Sequence, residues 1–446
     1  MSANSTPIQV LPDTQGEQPR GVRSLTKLQK RVLAGGSVGQ FVEFYDFALY
    51  ALNAVVISQL FFPSASTSAS LLATFAAFGV AFVVRPLGGL FFGALGDKIG
   101  RRRVLTITLM STGGATALIG LLPTYNQINF LAPLLLVLCR MVQGFSAGGE
   151  SVGAPSFVFE HAPINRRGLW INITLAVTAL PSVVGGFLFL VLSRSMSNDL
   201  YLAWGWRIPF LMAIPLAAVG LWIRFRTEES EIFIATKKEQ VKEFSPIREA
   251  FSENKLRMIQ VILVMGLTAM GFYFLTGYFI SYGQTSGGLT REQSLLINGG
   301  AMLLYAVLLP LGGLLSDKFG RKPMLIAGSF LLAVAALPCF MLVTSGTLVL
   351  ALLGQLLLVI PLSIYGGGCF TFFVEIFTTK TRFTSAAISY NAGYAIFGGT
   401  APFIGAALVG ASGVSYAPGF YMMAAAIVVL LLLLFTPVPE TRGRIG

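Results

Sequence analysis

The stretch GALGDKIGRRR (93–103) occurs a second time, in altered form, as GLLSDKFGRKP (313–323). The first glycine, the Asp-Lys pair, the second glycine and the basic residues after it keep their spacing, 220 residues further along. A second match joins FVFEHAPINRRG (157–168) to FFVEIFTTKTRF (372–383), with Glu160 aligned to Glu375, 215 residues apart. Two matches at nearly the same offset predict that the chain consists of two similar units in the same orientation.

The composition between these matches is that of a membrane protein. Hydrophobic residues make up 54% of the 446 residues and charged residues only 11%, whereas a soluble domain carries about 25% charged residues. Apolar runs of about 20 residues, which are long enough to cross about 30 Å of hydrocarbon, recur along the chain. Because these runs are continuous rather than alternating, we expect helices and not a barrel.

We predict an all-α integral membrane protein with twelve transmembrane helices in two parallel six-helix halves. The predicted spans are 32–60, 70–94, 104–122, 131–157, 168–193, 207–225, 258–283, 294–315, 324–343, 347–374, 384–410 and 418–436. The corresponding units are a disordered cytoplasmic tail (1–30), an N-terminal bundle (31–225), a cytoplasmic linker (226–257), a C-terminal bundle (258–436) and a short cytoplasmic tail (437–446).

The net charge of +12 is explained by the position of the basic residues. Lysines and arginines cluster in one set of alternate loops and in the tails, which predicts that these loops and both termini are cytoplasmic. The excess therefore needs no nucleic acid partner. The three cysteines fall within apolar spans and the chain has a single histidine, His161, so we expect neither a disulfide framework nor a metal site.

The repeated loop resembles the signature of the major facilitator superfamily, and RMVQG (140–144) is similar to its fourth-span motif. Further stretches resemble the metabolite:proton symporters within it, which include 2-oxoglutarate, citrate and proline/betaine carriers. These stretches are FVEFYDF (41–47), VVRPLGGLFFGALGDKIGRR (83–102), QGFSAGGE (143–150), WGWRIPF (204–210) and YNAGYAIFGGTAPFI (390–404). The resemblance implies a monomeric, proton-coupled carrier of the bacterial inner membrane that works by alternating access without a cofactor.

Charged residues in the middle of the spans are the candidate site. Glu43, Arg85 and Glu150 all fall roughly 15–18 Å from the same membrane face, counted at about 1.5 Å per helical residue. Asp46 lies one turn further out than Glu43 on the same face of the first span. Tyr50 and Asn53 continue this polar stripe.

In a low-dielectric site it is energetically costly for three acids around one arginine all to remain ionised. We therefore expect one of Asp46, Glu43 and Glu150 to take up the coupling proton, with Asp46 the favoured carrier. The alternative is that Glu43 and Arg85 form only an assembly salt bridge. The resemblance implies that Arg85 contacts substrate, although a betaine carrier has a similar RP-L-G-G stretch.

The remaining substrate candidates lie in both halves. Arg140 in span four either attracts an anion or pairs within the bundle. In the second half, whose spans contain no lysine or arginine, we expect Tyr273, Tyr390 and Asn391 to face the substrate. The alternative for the tyrosines is the aromatic belt at the membrane surface.

The loop motifs suggest a gate. Acids at these positions can pair with neighbouring helix ends, and Glu160 and Glu375 can receive the arginines. Such bridges would hold the halves together on one side and break when the carrier opens. The predicted gating residues are Asp97, Arg101, Arg102, Glu160, Asp317, Arg321 and Glu375.

These patterns predict a proton-coupled symporter that imports a small organic acid. A symporter of a zwitterion such as proline or betaine is one alternative, and a non-transporting receptor on the same fold is another. The glycine pairs of the chain do not follow a strand and precede a helix, so they do not indicate a nucleotide loop. An ion gradient must therefore supply the energy.

Overall fold

The computed structural model describes residues 27–99, 101–148, 155, 158–159, 162–226, 246–378 and 381–443. Within these ranges a few side chains are not described, including those of Asp97, Arg101 and Arg102. Glu150, Glu160 and the predicted N-terminal tail up to residue 26 also lie outside the described residues.

The chain up to residue 226, which we call the first half, is helical. Its helices are α1 (Lys27–Leu52), α2 (Ala54–Phe61), α3 (Thr67–Ile99), α4 (Arg101–Leu121), α5 (Tyr125–Ile128), α6 (Leu131–Ala147), α7 (Arg167–Ala176), α8 (Leu180–Ser195), α9 (Asn198–Ala203), α10 (Ile208–Leu211) and α11 (Ala213–Arg226). A 3₁₀ turn, Val177–Ala179, joins α7 to α8.

The chain from residue 246, the second half, is helical as well. Its helices are α12 (Pro246–Tyr273), α13 (Phe279–Thr285), α14 (Arg291–Phe319), α15 (Arg321–Val343), α16 (Leu348–Glu375), α17 (Arg382–Gly393), α18 (Ala401–Ser412) and α19 (Ala417–Phe435). Two π-helical turns, Phe274–Tyr278 and Tyr394–Gly398, join α12 to α13 and α17 to α18.

The predicted all-α class is confirmed, and the twelve-span prediction is consistent with the described residues. Ten stretches are long and apolar enough to cross a membrane, and α1 with α2 adds a span bent by 64°. The helix α6 occupies the place of the fourth span over a shorter described length. The helix α12 begins at Pro246, ahead of the predicted span start at 258.

Close packing of α3 against α6 depends on small residues. A Cβ atom added at Gly144 would lie 1.9 Å from the carbonyl oxygen of Ala81, and one at Gly148 would lie 1.9 Å from that of Arg85. Backbones in a membrane approach this closely only where side chains are absent. The contact therefore fixes Arg85 on α3 and Arg140 on α6 relative to each other.

Four spans lose regular α-helical structure part of the way across. The breaks are the bend at Asn53, the turn Val177–Ala179 and the two π-helical turns. In each half they fall on the first and fifth spans. Breaks of this kind are common at functional sites, since they free backbone groups and let the helix bend.

Two ends of the bundle are distinguished below. The basic end is the one at which α3 gives way to α4 and α14 gives way to α15; it carries the repeated loop. The outer end is the opposite one, at which α8 ends and α14 begins.

Candidate functional site

Glu43 on α1 and Arg85 on α3 form a buried ion pair, in which Arg85 Nη2 donates to Glu43 Oε1. The two side chains are 2% and 1% exposed. Removing two charges from water is costly, and their mutual attraction compensates only when they are in contact. Glu43 or Glu150 was expected to be the partner of Arg85; the structure shows the pair with Glu43, and Glu150 lies outside the described residues.

Arg140 on α6 lies in a cage of aromatic rings. Its guanidinium carbon is 4.5 Å from the ring centre of Tyr50, 4.9 Å from that of Phe47 and 5.2 Å from that of Phe78. Attraction between a cation and the faces of aromatic rings stabilises a desolvated arginine. Nη1 donates to Gln143 at 2.9 Å, whereas Nε and Nη2 have no hydrogen-bond partner among the described residues.

Asp46 has no comparable partner. It is 2% exposed, and none of the described side chains donates a hydrogen bond to either carboxylate oxygen. It lies close enough to Arg140 and Glu43 to interact with both electrostatically. A buried carboxyl group without a donor is costly as an anion and therefore suited to binding a proton.

Tyr50 and Asn53 were predicted to continue the polar stripe of Asp46. In the structure their side chains make different contacts. The Tyr50 hydroxyl donates to the carbonyl of Thr74 at 3.0 Å while its ring covers Arg140. Asn53 lies at the bend between α1 and α2, where its side chain accepts a hydrogen bond from Tyr201 at 3.3 Å. The stripe ends at Asn53 because the straight helix ends there.

A small cavity lies between the halves. Its volume is about 10 Å³, enough for about one water molecule. The first half contributes aromatic and hydroxyl side chains to it, and the second half contributes Phe272, Tyr273 and Thr276. The lining residues of the first half are Phe44, Phe47, Ala48, Thr178 and Ser182.

Of the three substrate residues predicted in the second half, Tyr273 is the one that lines this cavity. Its hydroxyl group has no hydrogen-bond partner among the described residues. Tyr390 stacks on Tyr394 with ring centres 4.1 Å apart and interacts electrostatically with Arg85. The Asn391 amide donates to the carbonyl of Ala387 on its own helix, and Asn391 is not among the residues that line the cavity.

Two polar residues of the site, Ser182 and Gln143, were missed by sequence reasoning. Ser182 and Thr276 line the cavity, and their hydroxyl groups have no hydrogen-bond partner in the described part of the chain. Gln143 binds Arg140 and also donates to Thr116 on α4 at 2.8 Å. Of these, only Gln143 had a usable signal, since it lies one helical turn from Arg140.

The halves are joined at the basic end. Arg321 at the start of α15 contacts Asp317 at 2.8 Å and Glu375 at 3.0 Å. Asp317 also accepts hydrogen bonds from the backbone amides of Gly168 (2.8 Å) and Leu169 (2.9 Å) in the first turn of α7. A carboxylate at a helix N-terminus satisfies free N–H groups and complements the helix dipole.

The predicted gating residues of the second half, Asp317, Arg321 and Glu375, are therefore brought together across the two halves. Their counterparts in the first half cannot be placed in the same way, because the side chains lie outside the described residues. These counterparts are Asp97, Arg101, Arg102 and Glu160.

The outer end is closed as well. Arg194 at the end of α8 forms an ion pair of 2.8 Å with Glu292 at the start of α14. Beside it, the guanidinium of Arg291 lies 4.6 Å from the ring centre of Tyr201. Among the described residues, the two halves are therefore in contact at both ends of the bundle.

Comparisons with known proteins agree with this architecture. The family model described as "Sugar (and other) transporter" matches residues 33–445. A glycine betaine/proline/ectoine/pipecolic acid transporter of Dickeya dadantii is 34% identical over 91% of this chain and 83% of its own length. A shikimate transporter of Escherichia coli is 34% identical over 91% of this chain and 92% of its own.

A crystal structure of a D-xylose-proton symporter has the same fold, with a TM-score of 0.73 and 21% identity over 93% of this chain and 99% of the other. The resemblance to the major facilitator superfamily read from the repeated loop is confirmed. The chain is a multi-pass membrane transporter rather than an enzyme, and it belongs to the sugar (and other) transporter family of that superfamily.

Proposed function

We propose that this protein is a proton-coupled symporter that imports a small zwitterionic solute, of the betaine or proline type, by alternating access. We place it in the bacterial cytoplasmic membrane with its basic end and both termini in the cytoplasm. The organic-acid substrate expected from the sequence becomes the second candidate, because the relative from Dickeya dadantii is a transporter of zwitterions.

The charge balance of the site is the observation that carries this proposal. Four buried charged side chains lie at mid-depth in the described part of the chain: Glu43, Asp46, Arg85 and Arg140. Two are acidic and two are basic, so these four described side chains balance when all are ionised. A zwitterion adds one positive and one negative group and leaves the net charge of the site unchanged in either protonation state of Asp46, whereas a dianion would need further cations.

The residues at and beside the cavity suit the two ends of such a solute. Arg140, which lies against the lining residue Phe47 without itself lining the cavity, has two guanidinium nitrogens without described partners, and its planar fork matches a carboxylate. The second half offers the rings of Phe272 and Tyr273 and no described charged side chain at the cavity. Aromatic faces bind alkylated ammonium groups through cation–π attraction.

Asp46 is the proposed proton carrier. Ionised, it competes with the solute carboxylate for the guanidinium of Arg140. Protonated, it leaves Arg140 to the solute. Proton binding and solute binding then favour each other, which is the coupling that a symporter needs.

Uptake into proteoliposomes with an imposed inward proton gradient tests the proposal. Labelled glycine betaine, proline, shikimate and citrate are compared, with Asp46→Asn beside wild type. We expect betaine or proline to accumulate in wild type, and Asp46→Asn to exchange it across the membrane without accumulating it. Accumulation by Asp46→Asn at the wild-type level would rule out Asp46 as the carrier.

An organic monoacid remains the second candidate because a single free guanidinium edge would also bind it, and because one relative is a shikimate transporter. The two candidates differ in the charge moved. One proton with a zwitterion carries one net positive charge, whereas one proton with a monoanion carries none. Solute-evoked currents on a supported membrane therefore separate them.

A further inference from the structure

A second cavity lies inside the first half, on the side of Asp46 that does not face the second half. It is bordered by α1, α4 and α11, and its lining includes Asp46, Thr116 and Ala217 but no described residue of the second half. Its volume is also about 10 Å³, enough for about one water molecule.

A chain of hydrogen bonds runs from Arg140 to Thr116, which lies in one wall of this cavity. Arg140 donates to Gln143, and Gln143 donates to the Thr116 hydroxyl at 2.8 Å. Thr116 in turn donates to the carbonyl of Thr112 at 2.8 Å. Asp46 forms the opposite wall and has no described side-chain donor. A water molecule between them would have polar partners on both sides.

Small side chains make the space. A Cβ atom added at Gly113 would lie 2.7 Å from the Cβ of Ala217, so α4 and α11 could not approach this closely with larger residues. Because the side chains at Gly113 and Ala217 are small, a space remains between these positions and Asp46 on α1.

The cavity extends from Asp46 towards the basic end. Both α1 and α4 begin at that end, and α11 ends there. The lining residues Val42, Thr112 and Ala217 each lie four residues nearer to the basic end than Asp46, Thr116 and Ala213. The space therefore covers about one helical turn below Asp46.

We propose that this cavity is a water site through which the proton passes between Asp46 and the basic end, on a route separate from the solute cavity. The proposal rests on the proposed role of Asp46 as proton carrier. The Asp46 carboxyl donates its proton to the water, which hands it on towards Thr112, and the carboxylate that remains faces Arg140.

The surroundings of Asp46 fit this route. The charged groups near it in the described part of the chain are Arg140 from α6 and Glu43 from α1. Tyr45, also on α1, lines the cavity and donates to the carbonyl of Pro209 at 3.1 Å. The helices α4 and α11 line the cavity without a titratable side chain, so water is the carrier available on that side.

Two changes close the route while leaving Asp46 in place. Ala217→Val fills the cavity, and its matched control is Ala218→Val, because Ala218 is the next residue on α11 and is exposed at the bundle surface. Thr116→Val removes the hydroxyl group at constant shape, and Thr116→Ser restores it.

The measurement is the rate at which the Asp46 carboxyl exchanges its proton for deuterium, followed by infrared spectroscopy on the full protein in liposomes. The band is assigned by its absence in Asp46→Asn. We expect exchange to be at least tenfold slower in Ala217→Val and Thr116→Val, and to lie near the wild-type rate in Ala218→Val and Thr116→Ser. A rate within twofold of wild type in either cavity variant overturns the proposal.

This readout needs no solute, so it separates two failures. If no Asp46 carboxyl band exists at any pH, the role of Asp46 in the proposed function is wrong, and the water route falls with it. If the band is present and the cavity variants exchange like wild type, the proton carrier stands and only the route is wrong.

Discussion

Glu43 and Asp46 lie one turn apart on α1, yet their surroundings differ. Glu43 is in contact with Arg85, whereas Asp46 has no described side-chain donor. Sequence alone could place both acids in the membrane, because a charge there is costly enough to imply a function. It could not assign their partners, since depth along a helix does not fix the direction in which neighbouring helices point their side chains.

Glu43→Gln should destabilise the protein strongly. It leaves Arg85 buried without its counter-charge, and breaking a buried pair in this way costs about 3–5 kcal/mol. The exposed pair Arg194–Glu292, with side chains 58% and 39% exposed, provides the matched control, because such pairs contribute at most about 1 kcal/mol.

Thermal unfolding in detergent compares Glu43→Gln with Glu292→Gln. We expect a large fall in the unfolding temperature for the first variant and almost none for the second. Similar temperatures for the two would show that the Glu43–Arg85 pair does not hold α1 to α3.

Arg140→Lys should weaken solute binding at least tenfold while the protein stays folded. Lysine keeps the charge but lacks the planar fork that fits a carboxylate and stacks on Phe47 and Tyr50. Arg207→Lys is the control, because Arg207 donates to the carbonyls of Gly120 and Leu122 and is not part of the proposed solute site. Calorimetric binding of glycine betaine and proline measures both; unchanged affinity in Arg140→Lys contradicts the assignment.

At the scale of elements, the apolar runs were enough to predict the helices, because lipid permits few alternatives for the backbone. The breaks within the spans were not predicted. The bend at Asn53 and the π-helical turns involve no proline, and they depend on contacts between helices. Asn298 on α14, for instance, donates to the carbonyl of Leu275 in the first π-helical turn, a contact that no local pattern announces.

The packing of α3 on α6 should tolerate no side chain at its contact point. In Gly144→Ala the new Cβ would lie 1.9 Å from the carbonyl oxygen of Ala81, so the helices must separate and carry Arg85 and Arg140 apart. Gly114→Ala is the control, because nothing lies within 4 Å of its added Cβ. We expect loss of solute binding and lower stability in the first variant only; equal behaviour of both would contradict the close contact.

The contact between Asp317 and the first turn of α7 should set the rate of transport more than the affinity for solute. Asp317→Asn removes the charge that complements the helix dipole, at a cost of about 1–2 kcal/mol. This corresponds to about a five- to thirtyfold change in the population of the closed state. We expect turnover to fall at least fivefold and the Kd for solute to stay within twofold; the reverse pattern would place Asp317 in binding instead of gating.

At the scale of the whole molecule, the repeat predicted two similar halves, and contacts join them at both ends. At the basic end, we expected the contact to be made by side chains of the first half. Asp317 instead accepts hydrogen bonds from the backbone amides of Gly168 and Leu169. Such a contact could not be predicted from sequence, because every residue except proline has a backbone amide and no residue type marks the partner. Neither contact at the outer end was predicted, because Arg194 and Glu292 lie at helix ends without a recurring motif.

Alternating access requires the outer end to open, so tying it shut should stop uptake while preserving binding from the basic end. Arg194→Cys with Glu292→Cys places two thiols where an ion pair of 2.8 Å now joins the halves, within reach of a short bifunctional cross-linker. We expect the cross-linked protein to lose uptake, to regain it when a cleavable linker is reduced, and to bind solute from the basic end throughout. Each single-cysteine variant serves as a control for the native Cys139, which is partly exposed. Undiminished uptake after complete cross-linking would mean that the halves do not separate at this end.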